Sequence, residues 1–286
     1  MRFRADWLRE VLTVPYVPIL GPVHPDLADA ILFDEVLTAA LEGVVLPYDK
    51  HSRWHRQRPE VPLVDEIVHQ PKHTIIPVLS RRGAGTIKLF FYGAHSDLPE
   101  LQKIVRVSCR VHKAAHGQVV VFDQQPAVRE GRVTRLLLKE FQAPSPRPGA
   151  SPISELRPDQ LTEFLVLADR LAEHGFGFLG QRLADGRVTG PVLVAWDEDQ
   201  MVGAIGPLDT LRDRQGTRML LPQYFGVLPE HHGHGHGRAL WRAAADWGHR
   251  HGAAYQLLQT QLGQASDQLF LSEGLHTLGF ATTVHA

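Results

Sequence analysis

The stretch VLPEHHGHGHGRALW, Val227–Trp241, limits what this chain can fold into more than any other. Four histidines and three glycines fill the seven positions His231–Gly237. An apolar pattern follows at Leu240, Ala243, Ala244 and Trp247, the i, i+3, i+4, i+7 spacing of a helix face. A strand-like run, RMLLPQYFGVLP, precedes it and is interrupted by Pro222. Strand, glycine-rich loop and helix in that order make an anion site. The first N–H groups of a helix have no intrahelical acceptor and carry the positive end of its dipole. Glycines let the backbone curl there and let an anion approach without a Cβ in the way. Two familiar phosphate loops are excluded. Arg238-Ala239 follows Gly237 where a P-loop needs Lys and then Ser or Thr. The dinucleotide pattern G-x-G-x-x-G puts its last glycine where Arg238 or Leu240 stands.

The histidines raise a second reading. His232, His234 and His236 alternate, so an extended backbone would turn them to one side, and three imidazoles can bind zinc. The glycines predict a tight curl instead, with the helix beginning at about Gly237. Glu230 is the nearest carboxylate in sequence. No metal is expected on this reading.

The sharpest boundary along the 286 residues is FQAPSPRPGASP. Pro144, Pro146, Pro148 and Pro152 cannot sit inside a helix or central strand, which predicts an extended linker. The expected division is an N-terminal α/β domain over 1–143, a linker over 144–152 and a second domain over 153–286. In the first, Leu27–Leu41 reads as a helix, and HTIIPVL and TIKLFFYG flank SRRGAG as a hairpin. A helix follows with Ser96 or Asp97 as N-cap and Gly117 as stop, and then the strands QVVVFD and VTRLLLKEF. His24, His51, His55, His69, His73 and His95 are scattered and carry no motif. In the second, a short strand at ISEL precedes a helix presenting Leu161, Phe164, Leu165, Ala168 and Leu171 and closed by Gly175. The order β α β β β α β α β predicts an α+β fold with a mixed, mostly antiparallel sheet.

Net charge is −1 with histidines neutral, so no basic excess points to nucleic acid or an anionic membrane. Cys109 is the single cysteine, which rules out an intrachain disulfide and a cysteine-rich zinc module and suits a cytoplasmic setting. No apolar run approaches the length of a membrane span.

The segment from Val227 to Thr260 resembles the acetyl-coenzyme A signature of the GNAT superfamily of N-acetyltransferases. Val227 and Pro229 match the V-x-P that ends a strand. His232-Gly233-His234-Gly235-His236-Gly237 match the loop Q/R-x-x-G-x-G/A, with His232 where Gln or Arg is usual. ASDQLFLSEGL is similar to a later helix and glycine pair, with Gly274-Leu275 in place of G-F, and LRPDQLTEF to the opening strand and helix. The resemblance runs from about Ile153 to Ala286. It implies a twisted mixed sheet whose fourth strand, LLPQYFGV, and fifth strand, YQLLQT, splay to admit the pantetheine arm of acetyl-CoA. It implies that main-chain groups of Phe225, Gly226 and Val227 meet that arm. The backbone of Gly233, His234, Gly235, His236, Gly237 and Arg238, with His232, would hold the pyrophosphate. Ser266 and Phe270 of the later helix complete the expected cofactor set. The first half is read as a degenerate copy of the same fold or as a substrate-capping domain.

The chain departs from the family pattern at the reacting groups. Phe270 stands where a tyrosine often protonates the leaving thiolate, so water, Ser266 or Tyr255 has to supply that proton. Leu221 stands where some members place a glutamate base. Gln223 and Tyr224 are the remaining strand candidates, with ordered water as the expected base. The implied reaction is direct acetyl transfer to a primary amine of a small molecule or peptide in a ternary complex, by a monomer or homodimer. The alternatives are a non-catalytic coenzyme A-binding module and a histidine-rich metal-binding protein.

Overall fold

The computed structural model describes Leu41 and residues 60–286, apart from 71–72, 82, 94–95, 124, 127–130, 142–148, 154–157, 173–175, 186–189, 213–215 and 222. The expected helix Leu27–Leu41 (Leu41 apart), His24, His51, His55, His95 and most of the Pro-rich stretch lie outside the described residues.

In chain order the strands are β1 (Glu60–Pro62), β2 (Val68–Gln70), β3 (His73–Ser80) and β4 (Thr86–Gly93). Helix α1 (Leu98–His112) leads to β5 (His116–Asp123), β6 (Arg132–Glu140) and β7 (Ser151–Pro152). Helices α2 (Pro158–Arg170) and α3 (Phe176–Ala184) come next. They precede β8 (Leu193–Asp197), β9 (Gln200–Gly206), β10 (Thr210–Arg212), β11 (Arg218–Leu220) and β12 (Tyr224–Val227). The chain ends with α4 (His236–Arg250), β13 (Tyr255–Gln261), α5 (Ala265–Ser272) and β14 (His276–His285). The class is mixed α+β, as the element order predicts. None of the described helices is long and apolar enough to cross a membrane.

The described residues pack as two compact units, one running to Leu138 and joined by Leu258–Ala286, the other Lys139–Leu257. In sequence terms the last 29 residues fall in the expected 153–286 domain, yet they pack with the first unit. The reason is backbone pairing. β14 lies antiparallel to β5 through Phe280↔Asp123 to His285↔Gln118, and antiparallel to β6 through His276↔Leu138 to Thr283↔Arg132.

The first unit is built on the hairpin β3–β4 and the parallel pair β4–β5, with α1 as the crossover. Asp97 is the N-cap of α1 and accepts from Glu100 N at 3.2 Å. The helix stops earlier than the glycine at 117 suggests. Lys113 takes the left-handed cap conformation (φ 53°), and Gly117 lies inside β5. Leu101 and Val105 of α1 close over Ile87, Leu89, Phe91, Val119 and Val121. Glu66, in a single 3₁₀ turn, accepts from Ser108 Oγ at 2.8 Å and also pairs with His112, which fixes the outer face of α1.

The second unit has an antiparallel sheet in the order β12-β9-β8-β7. The last residues of the expected linker are therefore a strand, with Ser151 opposite Val194 and Pro152 opposite Leu193. Phe164, Leu167, Ala168 and Leu171 of α2 bury against Phe176 and Leu179 of α3 and against Val192, Val194, Met201, Ala204, Tyr224 and Leu228. The buried stripe of α2 includes Leu167, whereas Leu161 and Leu165, expected in it, are exposed. On α4 the buried stripe is Leu240, Trp241, Ala244 and Gly248, one step round from the expected Ala243 and Trp247. A Cβ on Gly248 would lie 3.2 Å from Leu220, so glycine there sets how close α4 comes to β11.

Gly203 of β9 positions β12. A Cβ on it would stand 2.9 Å from the Gly226 carbonyl oxygen and from Val227 Cγ2, and 3.1 Å from Leu240 Cδ1. Gly203→Val is expected to cost about 1–3 kcal/mol by overpacking three elements at once. Urea unfolding of the variant against the parent checks it.

Candidate active site

The strand read from the sequence as one interrupted run is two. Upstream of Pro222, β11 pairs parallel with β13, Met219 opposite Tyr255 and Leu220 opposite Gln256. Downstream, β12 leaves that partner and pairs antiparallel with β9, Tyr224↔Gly206 through Val227↔Gly203. Within the second unit the chain therefore changes partners across Leu221–Gln223. Gln256 holds the turn-over point. Its Nε2 donates to Gln223 Oε1 at 2.8 Å and lies 3.5 Å from the Leu221 carbonyl.

β12 is the edge strand of its sheet. Leu228 N donates to Val202 O at 2.8 Å, one step past the Val227↔Gly203 pair. Antiparallel pairs alternate between bonded and non-bonded. Gly226 and Tyr224 therefore bond β9, and the N–H and C=O of Phe225 and Val227 point away from it. Phe225 and Val227 are two of the three residues the family resemblance implies for the pantetheine arm; Gly226, the third, is instead bonded to β9. His232 fits this direction, since its ring Nε2 donates to the Val227 carbonyl oxygen at 2.9 Å. That contact differs from the expected role of His232 at the pyrophosphate: its ring reaches back to the strand.

The loop between β12 and α4 curls twice. Gly233 (φ 87°) and Gly235 (φ 89°) are both left-handed, and a Cβ on either would meet nothing within 4 Å. Gly235 is the N-cap of α4 and brings no side chain to the cap. The first helical bond is Ala239 N to Gly235 O at 3.0 Å, so the N–H groups of His236 and Gly237 precede any intrahelical acceptor. The helix thus begins at His236, with main-chain donors beside a space that both glycines keep clear.

The curl also sorts the histidines. His231, at the end of the 3₁₀ turn Pro229–His231, bonds Asp197 Oδ2 through Nδ1 at 2.8 Å. His236 Nε2 stands 3.6 Å from the same oxygen. The rings of His231, His234 and His236 are 6.1 to 6.5 Å apart and set edge to face. The tight curl predicted from the glycines is present: two left-handed residues stand between His232, His234 and His236, so these do not alternate on one side, and His231 rather than His232 joins the other two rings. The His231 hydrogen bond, helped by His236 and His234 and opposed by partial burial, holds the Asp197 carboxyl below its ordinary range. Arg170 of α2 pairs with Glu230 and holds that carboxyl low as well.

The expected reacting side chains are placed differently. Tyr224 is 2% exposed and packs against Phe176, ring centroids 6.2 Å apart, so it is a core residue. Gln223 is half-buried and engaged by Gln256. Leu221 is buried. Ser266 and Phe270 belong to the first unit. There Ser266 Oγ lies 2.6 Å from Thr260 Oγ1, and Phe270 is buried. Asp197 and Gln256 went unremarked in the sequence, since neither lies in a local motif.

Residues 189–274 match the family model described as an acetyltransferase (GNAT) domain. No curated protein matches the chain. Among solved structures, an acetyltransferase from the GNAT family of Colwellia psychrerythraea superposes with TM-score 0.50 at 12% identity, covering 88% of this chain and 95% of that one. A GCN5-related glucosamine N-acetyltransferase region of a fungal multi-domain GH3 β-N-acetylglucosaminidase gives TM-score 0.50 at 12% identity, covering 89% of this chain and 37% of that one. A GCN5-related N-acetyltransferase from Sphaerobacter thermophilus gives 0.46 at 13% identity, with 92% and 93% covered. At 12% identity the two likenesses with TM-score 0.50 are of fold alone. The matched segment lies within the C-terminal half, and over it the chain is similar to a GNAT acetyltransferase domain.

Proposed function

We propose that the chain transfers an acetyl group from acetyl-CoA to a primary amine of a small molecule or peptide, in a ternary complex. The observation that carries this reading is the change of partners at Leu221–Gln223. It leaves β12 on the sheet edge with Phe225 and Val227 turned outward, and the curled loop after it leads to an uncapped helix start. The outward N–H of Val227 suits an amide of a pantetheine arm, while the Val227 carbonyl already accepts from His232. The donors at His236 and Gly237 suit a pyrophosphate. An outward N–H of β12 at the thioester carbonyl would stabilise the oxyanion formed as the amine nitrogen attacks, an effect of about 3 kcal/mol. The C–S bond then breaks, coenzyme A leaves as thiolate, and the proton lost by the amine passes to water. No carboxylate or titratable side chain on β12 is available as base, since Tyr224 is in the core. Ordered water therefore serves.

Burial of Tyr224 and the phenylalanine at 270 favour one second reading, a module that binds coenzyme A without turning it over. A thiol-release screen with acetyl-CoA against aminoglycosides, amino acids, polyamines and peptide N-termini, run beside calorimetry, separates the two. Release above the no-amine blank supports the enzyme. Binding without release supports the module.

The first unit repeats the order strand, strand, helix, strand, and we read it as a degenerate copy. Here β4 and β5 stay paired over Thr86↔His116 to Phe91↔Val121, and Asp97 caps α1. Both features that would admit a cofactor are closed. The working assignment is a cytoplasmic monomer or homodimer that engages neither nucleic acid nor membrane.

His232→Ala is expected to change acetyl-CoA affinity less than about threefold, because the ring bonds a strand carbonyl and not the anion. Calorimetry checks it, and a loss above tenfold would return His232 to the anion.

A further inference from the structure

The fold gathers four potential metal ligands that are scattered in the sequence. Asp197 ends β8, His231 closes a 3₁₀ turn, His234 stands between two left-handed glycines, and His236 is the first residue of α4. Among the described residues, one ligand atom from each lies within 4.8 Å of the other three. Asp197 Oδ2 already gathers His231 Nδ1 at 2.8 Å and His236 Nε2 at 3.6 Å. A second observation is independent of the clustering. His236 Nε2 is inaccessible to solvent and has no hydrogen-bond partner. A buried ring nitrogen without a partner is costly, and a ligand removes that cost.

We propose that Asp197, His231, His234 and His236 bind one divalent transition ion of the zinc class. This claim does not rest on the acetyl-transfer reading. Zinc–nitrogen and zinc–oxygen bonds of about 2.0–2.1 Å in a tetrahedron set neighbouring ligand atoms about 3.3 Å apart. The widest separation here closes by about 1.5 Å to reach that value. His234 is the exposed member, and rotation of its ring supplies much of the change. The three rings stand edge to face, 6.1 to 6.5 Å apart, rather than stacked on one another. Three imidazoles and one carboxylate select zinc, nickel or copper over magnesium and calcium. Four protein ligands complete the tetrahedron and leave no position for substrate, so the ion is structural. It ties the loop 231–236 to the β8–β9 hairpin and so fixes Gly233 and Gly235. The ligands are side chains, whereas the anion's expected partners are main-chain N–H groups, so one loop can hold both. The sequence-based expectation of no metal did not weigh this set, because Asp197 and His231 join it only through the fold.

The test uses the full chain, purified without a histidine tag, stripped with EDTA and dialysed. Zinc chloride is titrated calorimetrically, and cobalt(II) is added to a second sample. The expected result is one zinc per chain bound at or below about 10 µM, with the visible absorption of tetrahedral cobalt and no heat from magnesium. His234→Gln and Asp197→Asn each weaken zinc by about 100-fold, and His276→Gln, outside the cluster, does not. Circular dichroism verifies folding, and exposed His234 is the safer variant. Absence of a stoichiometric site at about 10 µM, or equal zinc binding by the parent and both variants, overturns the proposal.

Discussion

Asp267→Ala lowers the unfolding free energy of the first unit by about 3–5 kcal/mol. Asp267 is 3% exposed on α5, and its carboxylate accepts from Arg135 Nε at 2.8 Å, from Arg135 Nη2 at 3.3 Å and from Gly263 N at 3.0 Å. Arg135 in turn donates to Thr277 Oγ1 at 3.1 Å and lies over the Phe280 ring at 5.0 Å. The carboxylate thus joins β6, the turn before α5 and, through Arg135, β14. Removing it strands a guanidinium that is only 16% exposed and leaves the Gly263 amide without its acceptor. The loss is the cost of an uncompensated charge rather than the net worth of the pair. For that reason the double variant Arg135→Met/Asp267→Leu is expected to recover most of the stability that Asp267→Ala loses. Urea unfolding of the three proteins decides it. A single-variant loss below about 1 kcal/mol, or no recovery in the double, removes the argument.

What the sequence disclosed and what it withheld divide along one physical line. The glycine–histidine loop was legible because its information is local: left-handed turns need glycine, and a helix start needs no distant partner. The hairpin β3–β4, the cap at Asp97 and the strand break between Leu220 and Tyr224 are of the same kind. The pairing of β14 between β5 and β6 was not legible, because strand partners are chosen across more than a hundred residues and leave no mark in either strand's own pattern. Nor was α3, whose glycines weaken the helical signal. Their use is tertiary, since a Cβ on Gly177 would stand 3.1 Å from Ala172 Cβ and one on Gly180 3.0 Å from Ala168 Cβ.

The candidate site shows the same division at finer scale. That anion donors would gather near residues 233–238 followed from the motif. Which histidines would meet did not follow, because it depends on two φ angles and on a carboxylate 34 residues upstream of His231. Tyr224, a strand candidate for the base, turns into the core. A four-residue strand with burial alternating from its first residue turns Tyr224 inward, and the sequence does not say where that alternation begins.

Gly235→Ala is expected to weaken acetyl-CoA binding about 5- to 30-fold while leaving the fold intact. Alanine in the left-handed conformation costs about 1–2 kcal/mol, which at 1.4 kcal/mol per tenfold is that range. No heavy atom lies within 4 Å of the added Cβ, so contact contributes nothing and the whole effect is backbone strain. The strained loop relieves itself by leaving the left-handed region, and this swings the N–H groups at the start of α4 away from one another. Acetyl-CoA then has to drive the loop back at its own expense. Gly216 supplies the control. It too is left-handed (φ 81°) with nothing within 4 Å of a Cβ, but it lies in the loop before β11. Gly216→Ala meets the same conformational cost and should leave affinity unchanged. Calorimetry at one salt concentration compares the two variants with the parent. Equal losses would mean that strain anywhere in the domain weakens binding. Loss at Gly235 alone means that the main-chain donors at the mouth of α4 hold the diphosphate.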